Sequence, residues 1–204
     1  KEMISFSGWS TLGQLSVMLN SSGVSVLINI FFSTVVNAAR GLAGTVDATI
    51  NQLVNGFTIA AEPQLVKYYG AGDKKHFEAL IFNVSRYTLF LLSIIIVPLL
   101  LEIDYVLKLW LNEVPQYTAT FIRIQALVSI ISYSSRMLIL GIIAIGRTKE
   151  SNLFVSPIYL LNLPLVYITL KIGGLPQSVY YIASIPALLG MIGQLQILHK
   201  YINF

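Results

Sequence analysis

Residues 37–75 read NAARGLAGTVDATINQLVNGFTIAAEPQLVKYYGAGDKK, and the middle of that stretch decides what kind of protein this is. It is apolar enough to enter a bilayer, yet it carries Asp47, Asn51, Asn55, Thr58 and Glu62. At ~100° of turn per helical residue, those five side chains fall within roughly 80° of the helix circumference. Each ionised group left at a bilayer centre costs at least ~2.5–3.5 kcal/mol on insertion scales, so the stripe does not face lipid. It faces other protein or a water-filled cavity. Uncharged residues suffice to hold membrane helices together, so the two carboxylates favour the cavity over a polar seam between helices.

Apolar runs recur on both sides of this stretch. The chain has 204 residues, 55% hydrophobic and only 11% charged, where a soluble domain carries about a quarter charged residues. Its mean hydropathy is +0.75. The expected class is therefore all-α: a single six-helix polytopic membrane unit over 1–204, with spans near 5–32, 41–68, 79–101, 116–145, 152–172 and 179–200. Pro63 weakens the end of the second span, and Pro157 and Pro164 bend the fifth. The segment 33–40 reads as a turn, and 102–116 as a long loop whose Tyr105, Trp110 and Tyr117 suit an aromatic belt. Ala183, Ala187 and Gly190 give the sixth span a small-residue face for close packing.

Other spans carry polar faces too. Ser10, Gln14, Met18, Ser21, Ser25 and Asn29 align on the first; Asn83, Arg86, Phe90, Ser93 and Val97 on the third; Thr118, Gln125, Ser129, Ser132 and Arg136 on the fourth. The faces of the first, second and fourth spans are expected to converge on one water-accessible surface. Six spans place both ends on one side, together with Lys1, Lys67, Lys74, Lys75, Arg147, Lys149 and Lys200. Only Arg40, Lys108 and Lys171 fall opposite, so the positive-inside rule makes both termini cytoplasmic.

Much chemistry is missing. The net charge of +4 is spread over loops, which argues against nucleic-acid binding. There is no cysteine for thiolate or disulfide chemistry. His76 and His199 show no carboxylate at ligand or triad spacing, and no phosphate loop, HExxH or nucleophile elbow occurs. The chain reads as a non-enzyme with no metal or organic cofactor. It also lacks Met at position 1 and any cleavable signal, and reads as a piece of something longer. Charges within spans are functional candidates by default: Asp47, Glu62, Arg86, Arg123 and Arg136. Arg123 is expected to snorkel or to pair with Glu113, Asp47 lies where it could pair with Arg40, and Glu62 is placed near the interface, within reach of Lys67. Arg86 is divided between snorkelling and the cavity. Arg136, on the polar face near mid-membrane, is the better cavity candidate, with an ion pair to Asp47 or Glu62 as its alternative.

NIFFSTVVNAARGLAGTV (29–46) resembles the segment of polysaccharide flippases that ends one helix, turns and opens the next with N-A-A-R-G. EPQLVKYYGAGD (62–73) resembles the P-Q-x-x-x-x-Y-x-x-G-D stretch that closes that helix. The motifs cover 29–73 and are similar to the start of the C-terminal lobe of a Wzx-type O-antigen or capsule flippase, within the multidrug/oligosaccharidyl-lipid/polysaccharide exporter superfamily. Glu62 departs from the pattern, standing where relatives often have Asn. The resemblance implies a MATE-like two-lobe transporter of the bacterial inner membrane whose N-terminal lobe is missing from this chain. It further implies a polyprenyl-diphosphate-linked oligosaccharide as substrate, moved by alternating access with membrane lipid around its tail and H+ or Na+ as candidate coupling ions. The path would use Gln14, Ser21, Asn29, Arg40, Asp47, Asn51, Asn55, Glu62, Arg86, Gln125 and Arg136, since amides and hydroxyls bond sugars and guanidinium pairs with phosphate. A cation-coupled multidrug antiporter, with Asp47 as its ion site, and an inactive truncated fragment are the alternatives.

Overall fold

A computed structural model describes Glu2–Ile202, with the side chains of residues 2–7, 9, 10 and 12 outside the description, so the expected place of Ser10 on a polar face lies outside the described residues. The described chain is all helical: α1 Glu2–Phe31, α2 Thr34–Thr58, a 3-10 turn Ile59–Ala61, α3 Glu62–Gly70, α4 Lys74–Trp110, α5 Thr118–Ser134, α6 Arg136–Ala144, α7 Thr148–Lys171 and α8 Ser178–Ile202.

These helices make six traverses, because α2 continues through the 3-10 turn into α3, and α5 into α6. The buried side chains sort into three layers along the traverses. One end layer joins Ile28, Val36, Leu107, Phe121, Leu170 and Val179. A middle layer holds Ile50, Val54, Leu92, Ile96 and Ala126. The other end layer holds Leu65, Phe77, Ile142, Ile145, Leu198 and Ile202. Each traverse that leaves one end layer arrives at the other, which puts the two described termini on the same side. Five helical stretches are long and apolar enough to cross a membrane: 13–31, 74–110, 118–144, 148–171 and 178–202. This is an all-α polytopic membrane protein. The exception among the six traverses is α2, which has the length but not the apolarity.

Several boundaries differ from the sequence reading. The helix of α2 opens at Thr34 rather than 41, because Ser33 caps it: its backbone is extended, and its hydroxyl accepts from the Val36 amide at 3.4 Å. The segment expected as a loop from 102 opens on a kink, where Glu102 leaves helical geometry (φ −108°, ψ 15°), and is then helical to Trp110. Ile103 and Leu107 continue the buried face of Leu92 and Ile96, while Glu102, Asp104 and Lys108 stay exposed. Ser135 divides the fourth traverse, expected as one helix, into α5 and α6. Neither Pro157 nor Pro164 interrupts α7. Pro63 acts as expected: the 3-10 turn precedes it, and the proline sits in the first turn of α3, where its missing N–H costs least.

Turn chemistry fixes the hairpins. Gly72 and Gly146 take positive φ after α3 and α6, and the paired amide bonds Asp73→Tyr68 and Gly72→Tyr69, or Arg147→Ile142 and Gly146→Ile143, close each helix end. At the α7 start, Glu150 receives the Tyr201 hydroxyl at 2.5 Å, Arg147 at 3.5 Å and Lys200 at 3.8 Å, tying it to the end of α8. Ala187 and Gly190 of the expected small-residue face of α8 are buried, but a Cβ at Gly190 would meet nothing within 4 Å; the close approach is at Gly193, against the Phe154 ring of α7.

Six traverses place the α3–α4 turn and the α4–α5 turn on opposite faces. Because the protein has no native cysteine, Lys74→Cys and Glu113→Cys each carry one label site. In sealed vesicles of one orientation, an impermeant maleimide should reach one and not the other. Labelling of both from the same side would refute the traverse count.

Candidate functional site

The polar groups of α2 divide between three directions. Arg40 turns toward α1, where its guanidinium donates to Ser25 Oγ at 2.5 Å and to the Ser21 carbonyl at 3.2 Å. Asp47, two turns on, turns toward α5. Its carboxylate accepts from the Ser129 hydroxyl and, at 2.9 Å, from the Tyr133 hydroxyl. Gln125 Nε2 donates to Ser129 Oγ at 3.4 Å and completes the cluster. The gap between α2 and α5 around Asp47, Gln125 and Ser129 has no room for a water molecule. The expected cavity at Asp47 is therefore a dry polar seam, and among the described residues the expected Arg40–Asp47 ion pair does not form. Both charges are answered instead by hydroxyl and carbonyl groups already beside them.

Farther along, Asn51, Asn55 and Glu62 lie half-buried at the edge of the seam, and Thr58 is buried. Asn55 donates to Asn51 at 2.9 Å and leaves its own Oδ1 buried without a partner. No Glu62–Lys67 ion pair forms among the described residues. The third direction is outward. Gly41, Thr45, Ala48, Thr49, Gln52 and Gly56 are all exposed and share one face of α2. Thr45 and Thr49 return their hydroxyls to the carbonyls of Gly41 and Thr45, at 3.1 and 3.0 Å. No hydrogen bond from the Gln52 amide occurs among the described residues. This outward face, free of charge and poor in bulky apolar groups, escaped the sequence reading because Asp47 and its neighbours drew the stripe elsewhere.

The second feature is a cavity of about 680 Å³ between α1, α6, α7 and α8. Gln14 and Ser21 of α1 line it, with Arg136 at the first position of α6 and Ser151, Ser156 and Gln194 on the far walls. So Gln14, Ser21 and Arg136 come together as expected, but no residue of α2 joins them, and the polar faces do not converge on one surface. Arg136 pairs with neither Asp47 nor Glu62 among the described residues, and its Nε is buried without a hydrogen bond.

The remaining candidates stand apart. Asn29 is exposed near the end of α1. Arg86 lies on an exposed face of α4 with Asn83 and Ser93, 5.5 Å from the Phe90 ring. Arg123 pairs with Asp104 at 2.5 Å rather than with Glu113, because α4 extends far enough to bring Asp104 alongside. His76, read as lacking a carboxylate, meets Asp73 at 2.7 Å in the exposed cap of α4. The His76 amide there is the main force holding the Asp73 carboxyl below its ordinary value. That cap contribution is present above the unfolded pKa and lost as acid protonates Asp73.

Sequence reasoning missed Tyr133, which a list of small polar residues passes over, and the pair Asn20–Asn162, bonded at 2.8 Å between α1 and α7. It also missed Gln194. A lone amide in each apolar run was the available signal. No protein-family model, curated protein or solved structure matches the chain.

The Asp47 seam makes a stability prediction. Tyr133→Phe should lower unfolding free energy in micelles by about 0.6–1.7 kcal/mol, the range for interhelical hydrogen bonds in membranes. Asp47→Ala should cost more, because it removes the carboxylate acceptor of two hydroxyls at once and leaves Ser129 and Tyr133 only the Gln125 and Asp47 backbone carbonyls, at 2.8 and 3.3 Å. The double variant should cost less than the sum of the singles. Additive losses would show that the two residues do not act together.

Proposed function

We propose that this chain is one lobe of a flippase that moves polyprenyl-diphosphate-linked oligosaccharide across a bacterial inner membrane, with both termini cytoplasmic. The observation that carries the reading is α2. It packs against α1, α4 and α5, which are apolar enough to span a bilayer, is too polar itself to be one of them, and turns Thr45, Thr49 and Gln52 outward. A neutral surface of hydroxyls and amides in that position favours a sugar chain over an organic cation, which would call for an exposed carboxylate. Asn51 and Asn55 widen the same surface at its edge, while Glu62 lies beyond it, at the start of α3. The motifs at 29–46 and 62–73 support the same reading, with a second lobe closing the path opposite α2 and alternating access moving the sugar while the lipid tail stays in the bilayer. Asp47 holds α2 to α5 in this scheme and does not touch cargo.

Flipping of a fluorescent polyprenyl-diphosphoryl oligosaccharide in vesicles, followed by quenching from one side, tests the proposal in cells' native two-lobe protein or in the chain reconstituted alone. Gln52→Leu should lower the rate at least about tenfold at unchanged abundance, the equivalent of ~1.4 kcal/mol at the barrier. Ion-driven efflux of cationic dyes without flipping would favour the antiporter instead.

A further inference from the structure

The cavity between α1, α6, α7 and α8 has a chemistry of its own. None of the residues lining it is acidic, and Arg136 gives it a positive charge. Buried polar groups nearly always find a partner, so those without one among the protein's own groups are open to water or to a ligand. Four such atoms belong to residues that line it: Arg136 Nε, Ser156 Oγ, the acceptor Gln194 Oε1, and Thr148 Oγ1, which lies two turns from Ser156 on α7, about 12 Å away. Ser156 is 4% exposed and Gln194 6%, so neither is answered by bulk solvent. The Arg136 guanidinium and the Ser156 hydroxyl are donors suited to an oxyanion, and the guanidinium fork matches phosphate in particular. The rest of the wall is apolar, with Ile139 and Ile143 on α6 facing Met18 on α1, which is 66% exposed and opens toward the surroundings of the bundle.

We propose that this cavity binds a phosphoryl group, held by Arg136 with Ser156, and that its apolar wall takes the chain of the amphiphile that carries it. The phosphoryl group comes from a lipid headgroup or from free phosphate, and the same donors serve both. No residue of α2 lines the cavity, so the site does not rest on the flippase reading.

Binding to the purified full chain in detergent tests this with three probes: inorganic phosphate, phosphatidic acid in mixed micelles, and diacylglycerol as the phosphate-free control. Native mass spectrometry and melting temperature report binding. Phosphatidic acid should bind and raise the melting temperature, and diacylglycerol should not. Arg136→Gln should weaken phosphatidic acid by about tenfold or more, the loss expected for a charge-assisted pair. Arg136→Lys should recover part of that, keeping the charge but losing the fork. Ser156→Ala should weaken it less, and Lys171→Gln, at a distant helix end, not at all. If Arg136→Gln does not fold, the Lys and Ala variants carry the comparison. Tight binding of inorganic phosphate, lost in the same variants, would support the site and assign the free ion as its source. Equal binding of diacylglycerol, or phosphatidic acid binding indifferent to all three cavity variants, would overturn the proposal.

Discussion

A polar group carried into a bilayer has no water to answer it, and the arrangement around α2 follows from that constraint. The helix brings Arg40 and Asp47 on one face, two turns apart, yet they bind different neighbours: Arg40 reaches α1 and Asp47 reaches α5. Joining the two charges to each other would have left Ser25, Ser129 and Tyr133 to be satisfied separately. Dividing them lets one polar helix bind two apolar ones, each through a charge-assisted bond, which is stronger than a neutral one. The dry packing at Ile50, Val54, Leu92 and Ala126 then closes around those bonds.

The arginines illustrate how burial and partner choice separate roles. Arg40 is fully engaged by α1, and Arg123 by a carboxylate at an exposed helix end. Arg86 lies against an aromatic ring on the outside. Arg136 alone of these four lines a cavity, with part of its guanidinium group unanswered. Chain position does not distinguish them. What does is whether a neighbouring helix brings an acceptor to the right depth.

The apolar runs made the helical class and the number of traverses legible, because burial in hydrocarbon leaves a long and unmistakable pattern. The ends of helices were less so. A run of apolar residues does not stop where a helix leaves the bilayer, and α4 kinks at Glu102 and then continues on its buried Ile103 and Leu107 while charged residues occupy its other side. The site was legible by residue type and not by partner. Periodicity placed Asp47 on a polar face, but the neighbour across that face is Tyr133, a residue whose ring hides its hydroxyl from any count of polar groups. Gln14, Ser21 and Arg136 were rightly grouped, since their faces come from strong helical spacing. Their separation from Asp47 depends on helix order around the bundle, which no single helix encodes.

The bond between Asn20 and Asn162 has a mechanical meaning. It crosses between α1 and α7, which pack against each other over much of their length, and Asn162 is 1% exposed. A slip of α1 by one turn, about 5.4 Å, would part the two amides and leave Asn162 stranded in an apolar surround. The pair therefore sets the register of α1 along α7, and with it the height at which Gln14 and Ser21 stand on the cavity wall.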